Sequence, residues 1–340
     1  MRVIIPFLFF ACFLTTLVAP AQTNDSLPVP TRCACFSENT VVRFRLHEDT
    51  VDRKMILDSS LFYENWNSLP QVAFWRTLMN LPEDSALMCE KDKRQILDRI
   101  PTSFYKQLGD SAKEKYRDSL RFAYGLSDSS RILFTTGKKF FYCYENSLPQ
   151  IDTSISVFLA NGVDPWYAQS ILIIESPNKI QKSYAGAYGP FQLMKGVARK
   201  YGLTVTKSND ERKDLKRSAY AASMLIKKSC IPQARKMLDT LGISYNECDI
   251  WFRLLVMHNY HAGAGNVRAA LDVICPNQGG MEVIKKLWLT SAGQFQNASQ
   301  NYSQVLLAAQ IEFLDRMVKN SNLIDVHECI GEKVSSQITP

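Results

Sequence analysis

Apolar residues recur at helical spacing through most of the second half of the chain, which predicts a stack of packed helices. Trp166 to Ile174 is apolar almost without a break, so a buried helix is expected there, opened by Asp164-Pro165 and stopped by Pro177 just past Glu175. A helix over 152–160 precedes Gly162, and Phe191 to Gly202 predicts another that closes on glycine. After the extended Leu203-Thr204-Val205, helices are expected over 210–229, 231–241, 249–258, 266–274, 281–288 and 303–318. The first part is less regular. Val42 to Leu46 alternates as a short strand, helices are predicted over 71–81, 85–100 and 111–124, and Ile132 to Thr136 is short and β-branched. The fold class is therefore mainly α, with a smaller, mostly helical region ahead of a larger helical unit.

The amino terminus changes the picture of where the chain works. Met1 to Ala21 carries an early Arg2, an apolar run from Val3 to Val18 and a small-x-small site at Ala19-Pro20-Ala21, the pattern of a secretory signal peptide. The run is short for a spanning helix, and no later segment is apolar enough to cross a membrane. Cys12 matches a lipoprotein cleavage site only loosely. Export places the protein in the periplasm or cell envelope, or outside the cell in a host with one membrane. It also makes the remaining cysteines, Cys33, Cys35, Cys89, Cys143, Cys230, Cys248, Cys275 and Cys329, an even set that favours disulfides, with the pairing open. Their spacing and the scattered histidines do not suit zinc, and no metal or cofactor is called for. A net charge of +7 fits an acidic partner, yet Lys and Arg are spread along the chain, so a nucleic-acid surface is not indicated.

The candidate chemistry lies in Glu175 to Met194. A carboxyl on the last turn of an apolar helix meets the negative end of the helix dipole and poor solvation, and both favour its protonated form. That suits a general acid. Glu175-Ser176, followed by Ser183-x-Ala-Gly-Ala-x-Gly-x-x-Gln192-x-Met194, resembles the catalytic domain of the soluble lytic transglycosylases, lysozyme-like enzymes of the goose-type superfamily that cleave bacterial peptidoglycan. Asn259-Tyr260-His261-Ala262-Gly263-Ala264-Gly265-Asn266-Val267 is similar to that family's Ala-Tyr-Asn-Ala-Gly-Pro-Gly-x-Val. Asn301-Tyr302 resembles its late tyrosine block, and Asp210-Glu211-Arg212 with Ala221-Ala222 its connecting helix. The chain then divides into the signal peptide at 1–21, a mostly helical amino-terminal region at 22–129 of unread role, a catalytic domain at 130–320, which is the part the resemblance covers, and a tail at 321–340. The resemblance also implies glycan strands of peptidoglycan as partner, Glu175 as the catalytic residue, and Ser176, Gln192, Met194, Tyr260, His261 and Tyr302 as substrate-binding positions. His261 stands where the family has Asn, and Lys195 where it has Pro.

Ordinary glycoside hydrolysis uses two carboxyls. Between Glu175 and Met194 there is no second one, nor is there any in the Tyr260 block. One carboxyl suffices if the C6 hydroxyl of the same N-acetylmuramic acid is the nucleophile, giving a 1,6-anhydro end. Asp210, Glu211 and Asp214 remain candidates for a second carboxyl in a goose-lysozyme-like hydrolase. A non-catalytic peptidoglycan-binding module is the third reading. Among aromatics of the first part, Trp66, Phe74, Trp75, Tyr105, Phe122 and Tyr124 would form either core or a sugar-stacking groove.

Overall fold

The computed structural model describes residues 39–177 and 182–328. The expected leader at 1–21, and Cys12, Cys33, Cys35 and Cys329, lie outside them. The described residues open with strands β1 (Asn39–Leu46) and β2 (Arg53–Asp58), then helices α1 (Ser60–Tyr63) and α2 (Pro70–Asn80). Strands β3 (Ser85–Glu90) and β4 (Ile96–Pro101), helices α3 (Thr102–Gln107) and α4 (Asp110–Ala123), and strand β5 (Ile132–Thr136) follow. From there the chain is helical: α5 (Leu148–Ala160), α6 (Trp166–Glu175), α7 (Lys195–Lys200), α8 (Leu215–Leu225), α9 (Ile231–Thr240), α10 (Ile250–Ala262), α11 (Ala264–Ile274), α12 (Met281–Leu289) and α13 (Asn297–Asn320). The last described element, β6 (Ser321–Glu328), returns to the start.

Two small antiparallel sheets result, ordered β2-β1-β6 and β4-β3-β5. The stretch 85–100, expected to be helical, is instead a hairpin. Ser85 to Glu90 buries alternate residues on opposite sides: Leu87 and Cys89 join the main core, while Ala86 and Met88 join a second cluster with Leu97, Ile100, Tyr105, Leu120 and Ile132. A strand between two cores is apolar on both faces, a pattern that sequence spacing does not separate from a helix. The expected break near residue 230 is also absent, because π-helical turns over Ile226–Cys230 carry α8 directly into α9. The carboxy-terminal stretch expected as a tail opens with β6, which pairs along β1 from Leu46↔Ser321 to Thr40↔Glu328. Trp66, Phe74, Trp75 and Tyr105 are buried core, whereas Phe122 and Tyr124 are exposed.

Helix α6 positions the functional residues. Every residue from Trp166 to Ile174 is buried, and the helix packs against α5, α13 and β2. Gln169 faces the outer edge of β2, where its carbonyl accepts from the Ile56 N–H at 2.8 Å and its amide donates to the Ile56 carbonyl at 3.0 Å. The same amide donates to Gln310 Oε1 at 2.8 Å, and Gln310 donates to Ser170 at 2.7 Å. Asp152 on α5 accepts from the Lys54 N–H at 3.0 Å. Side chains thus substitute for a missing neighbour strand, and each satisfied group avoids a desolvation cost of about 1–3 kcal/mol. A buried ion cluster reinforces the junction: Arg253 on α10 lies 3.1 Å from Asp164 at the start of α6 and 3.7 Å from Asp58 at the end of β2. Its guanidinium also stands over the Trp166 ring.

Of the described cysteines, Cys89, Cys143, Cys230 and Cys275 carry free thiols. Cys248 is disulfide-bonded. A fully paired set is therefore not what the fold contains, and Cys89 and Cys230 are packed as small apolar residues. No helix among the described residues is long and apolar enough to cross a membrane.

Removing Arg253 strands two buried carboxylates. Arg253→Ala is expected to cost about 3–5 kcal/mol in denaturant unfolding. A loss under ~1 kcal/mol would show that the cluster does not tie the parts together.

Candidate active site

Helix α6 ends where the sequence turns from Ile174-Glu175 to Ser176-Pro177. The Ser176 N–H closes the last turn on the Leu172 carbonyl at 3.2 Å, and Ser176 leaves helical geometry at φ −143°. Glu175 therefore projects from the final turn into a cavity of about 170 Å³ lined also by Ile174, His261, Ala298, Asn301, Tyr302 and Val305. Among the described residues its carboxylate accepts a hydrogen bond from the Tyr302 hydroxyl at 3.1 Å. Burial raises its pKa to about 7, against a smaller downward pull from Tyr302. A half-buried carboxyl beside a cleft, protonated near neutrality, can deliver a proton and take one back.

The loop 182–194 is fastened to the end of α6 and to α10 through Ser176 and Tyr260. The expected helix over 191–202 is shortened to α7, because Phe191 to Met194 closes a tight turn in which Tyr188 and Leu193 exchange backbone bonds at 3.1 Å each way. Gln192 sits on that turn in the left-handed region, φ 46°, and its amide donates to the Gly189 carbonyl at 2.9 Å. Arg212, 1% exposed, holds the loop from behind: Nη1 donates to the Gly186 and Leu193 carbonyls at 2.9 Å, while Nε and Nη2 grip Asp210 at 2.9 and 2.7 Å. Gly189 permits this contact twice over, since its φ is +85° and a Cβ there would lie 1.8 Å from the Arg212 carbonyl oxygen.

The other sequence-nominated residues divide by role. Ser176 is buried and donates to the Pro190 carbonyl at 3.1 Å, and Tyr260 donates to the Phe191 carbonyl at 2.6 Å, so both fasten the loop. Met194 is 44% exposed at the loop's end, so it is not core packing. Tyr302 and His261 meet at the cavity, their rings stacked at 4.1 Å and 20°. Part of the His261 surface opens outward, yet crowding by the protein lowers its pKa to about 4, so the ring is neutral at physiological pH.

Two groups escaped sequence reasoning. Tyr142, buried in the segment between β5 and α5, senses the Glu175 charge, and burial followed by that charge pushes its phenol up. No spacing pattern signals it. Asn301, named only as the neighbour of Tyr302, lines the cavity itself.

The candidate second carboxylates are engaged elsewhere. Asp210 is held below the ordinary carboxylate range chiefly by Arg212. Glu211 accepts from the Thr204 N–H and from Arg217, and Asp214 caps α8 by accepting from the Arg217 N–H at 2.8 Å. No other acidic residue lines the Glu175 cavity as described. Among the described residues no group of three or more His, Cys, Asp or Glu is placed to hold a metal ion.

Residues 154–273 match the family model of the transglycosylase SLT domain. That span includes Glu175, the loop, Arg212, Tyr260 and His261, and stops short of Asn301 and Tyr302. A search of curated proteins finds no match to the chain.

The raised pKa makes a stability prediction. With a folded value of about 7 above the ordinary 4.5, Glu175 holds a proton that the unfolded chain releases, so stability falls as pH rises from 4.5 to 7. Glu175→Gln, neutral throughout, should be more stable than the native protein by about 3 kcal/mol above pH 7 and equal to it below the unfolded pKa. Denaturant melts at pH 4 and pH 8 check this, and equal differences at both would contradict it.

Proposed function

We propose, with a lysozyme-like transglycosylase SLT domain over residues 154–273 as the premise, that the protein is a peptidoglycan lytic transglycosylase. It cleaves the β-1,4 bond between N-acetylmuramic acid and N-acetylglucosamine and leaves 1,6-anhydro ends. The observation that carries this reading is Glu175: a carboxyl raised to about 7, with no second acid lining its cavity among the described residues. Glu175 protonates the glycosidic oxygen as the bond to C1 breaks. The resulting carboxylate then takes the proton of the C6 hydroxyl as that oxygen bonds to C1. Atoms balance without added water, and the same group serves as acid and then as base.

The Tyr302 hydroxyl favours the carboxylate formed between the two steps and so lowers the cost of the first. Neutral His261 braces Tyr302 by stacking and presents a ring edge to substrate. Ser176 and Tyr260 shape the loop, from which Gln192 and Met194 meet the sugars. The alternative, a goose-lysozyme-like hydrolase, needs a base that would have to come from Asp210, Glu211 or Asp214. Their engagement behind the loop disfavours it. A non-catalytic module has no evident use for a carboxyl kept protonated at a cost in stability. The leader pattern at 1–21 makes the periplasm or cell envelope the proposed site of action.

The test is mass spectrometry of muropeptides released from purified sacculi by the native protein and by Glu175→Gln. Products one water lighter than hydrolytic ones are expected, with at least a ~10³-fold loss in the mutant. Activity should also fall as pH rises through about 7, because the acid form is lost. Hydrated products, or unaltered activity in Glu175→Gln, would refute the mechanism.

A further inference from the structure

The cavity beside Glu175 has an apolar side made by Ile174, Ala298 and Val305 and a polar corner at Asn301. The orientation of that corner is set from outside the matched domain. Arg94, in the turn between β3 and β4, is 6% exposed, adopts φ 58° and donates from Nη2 to Asn301 Oδ1 at 2.6 Å. Its guanidinium lies against Phe74 and Trp75, 5.3 and 5.7 Å from their ring centroids. The turn is itself tied down, since the Glu90 carboxylate accepts from the Asp92 and Lys93 N–H groups at 3.0 and 2.6 Å.

A guanidinium has donors only, so the Asn301 oxygen must face Arg94 and its NH₂ must point the other way. One of those hydrogens goes to Asn297 Oδ1 at 3.1 Å. The second has no acceptor among the described residues, and Asn301 lines the cavity. A single N–H donor beside an apolar wall matches an acetamido group, whose carbonyl oxygen accepts the N–H while its methyl packs on Ile174 and Val305.

We propose that Asn301 binds a sugar acetamido group in the cavity beside Glu175, and that Arg94 of the amino-terminal hairpin is the positioning residue that fixes the Asn301 amide for it. The proposal deepens the saccharide reading of this site and rests on it. The region before the matched domain then acts in substrate selection, not only in folding.

The experiment measures binding of chitohexaose and of cellohexaose, neutral β-1,4 chains that differ by the acetamido groups, to the full-length Glu175→Gln protein by calorimetry. A preference for chitohexaose is expected. Asn301→Ala should reduce that preference about tenfold, the scale of one lost hydrogen bond in a desolvated site. Arg94→Met should reduce it similarly, and should add nothing in the Asn301→Ala background. A merely structural Arg94 would weaken both ligands alike and would add its effect in either background. Arg94→Lys keeps the charge, and thermal melts of each variant identify any that does not fold. An unaltered preference in Asn301→Ala, additive effects of the two substitutions, or no preference in the parent protein would overturn the proposal. Sacculus products of the native enzyme are read separately: anhydro ends with an unaltered preference reject only this inference, while hydrated ends with an altered one reject only the transglycosylase reaction.

Discussion

A carboxyl withdrawn from water at the end of a buried helix is the constraint around which the rest is arranged. Glu175 gains one hydrogen bond from Tyr302 in exchange for its hydration, and the balance leaves its pKa near 7. Such a group is a stability cost at neutral pH, and the surrounding fold supplies the rigidity to keep it there. Helix α6 is buried on all sides, and the loop 182–194 is fastened by Ser176, Tyr260 and Arg212. The carboxyl thus sits at the end of a core helix tied to a clamped loop, and neither can relax toward solvent without breaking several buried bonds.

The amino-terminal strands take part in this arrangement. Gln169 joins β2 to α6, Arg253 joins Asp58 to Asp164, and Trp75 donates to Gln304 on α13 at 3.2 Å. Polar side chains make these links in a nearly dry interior, where direction matters and loss of one partner is expensive. Helices α6 and α13, which carry Glu175 and Tyr302, are therefore held in register partly by residues before position 130. Arg94 extends the same logic to the wall of the cavity.

Legibility from the sequence followed the physics of each segment. Trp166–Glu175 was plain because an unbroken apolar run has one stable use here, and Glu175 was plain because a charge ended that run. Loop glycines and the tyrosine blocks were readable as a resemblance, which also nominated Tyr302. The hairpin at 85–100 was missed because a strand buried on both faces lacks alternation. Arg212 was legible only as part of the resemblance to a connecting helix, since its contacts with Gly186 and Leu193 depend on a loop turn that helix propensity argued against. Tyr142 and the Arg94–Asn301 pair could not be read at all, because contacts between residues distant along the chain leave no local pattern.

The most direct test of the account is a titration of the Glu175 side chain itself, by ¹³C NMR of the carboxyl in glutamate-labelled protein, assigned by its absence in Glu175→Gln. A midpoint near 7 is predicted, well above the ordinary 4.5. A midpoint at or below the ordinary value would mean a solvated carboxylate, unable to act as the acid at neutral pH, and the single-carboxyl mechanism would fall with it.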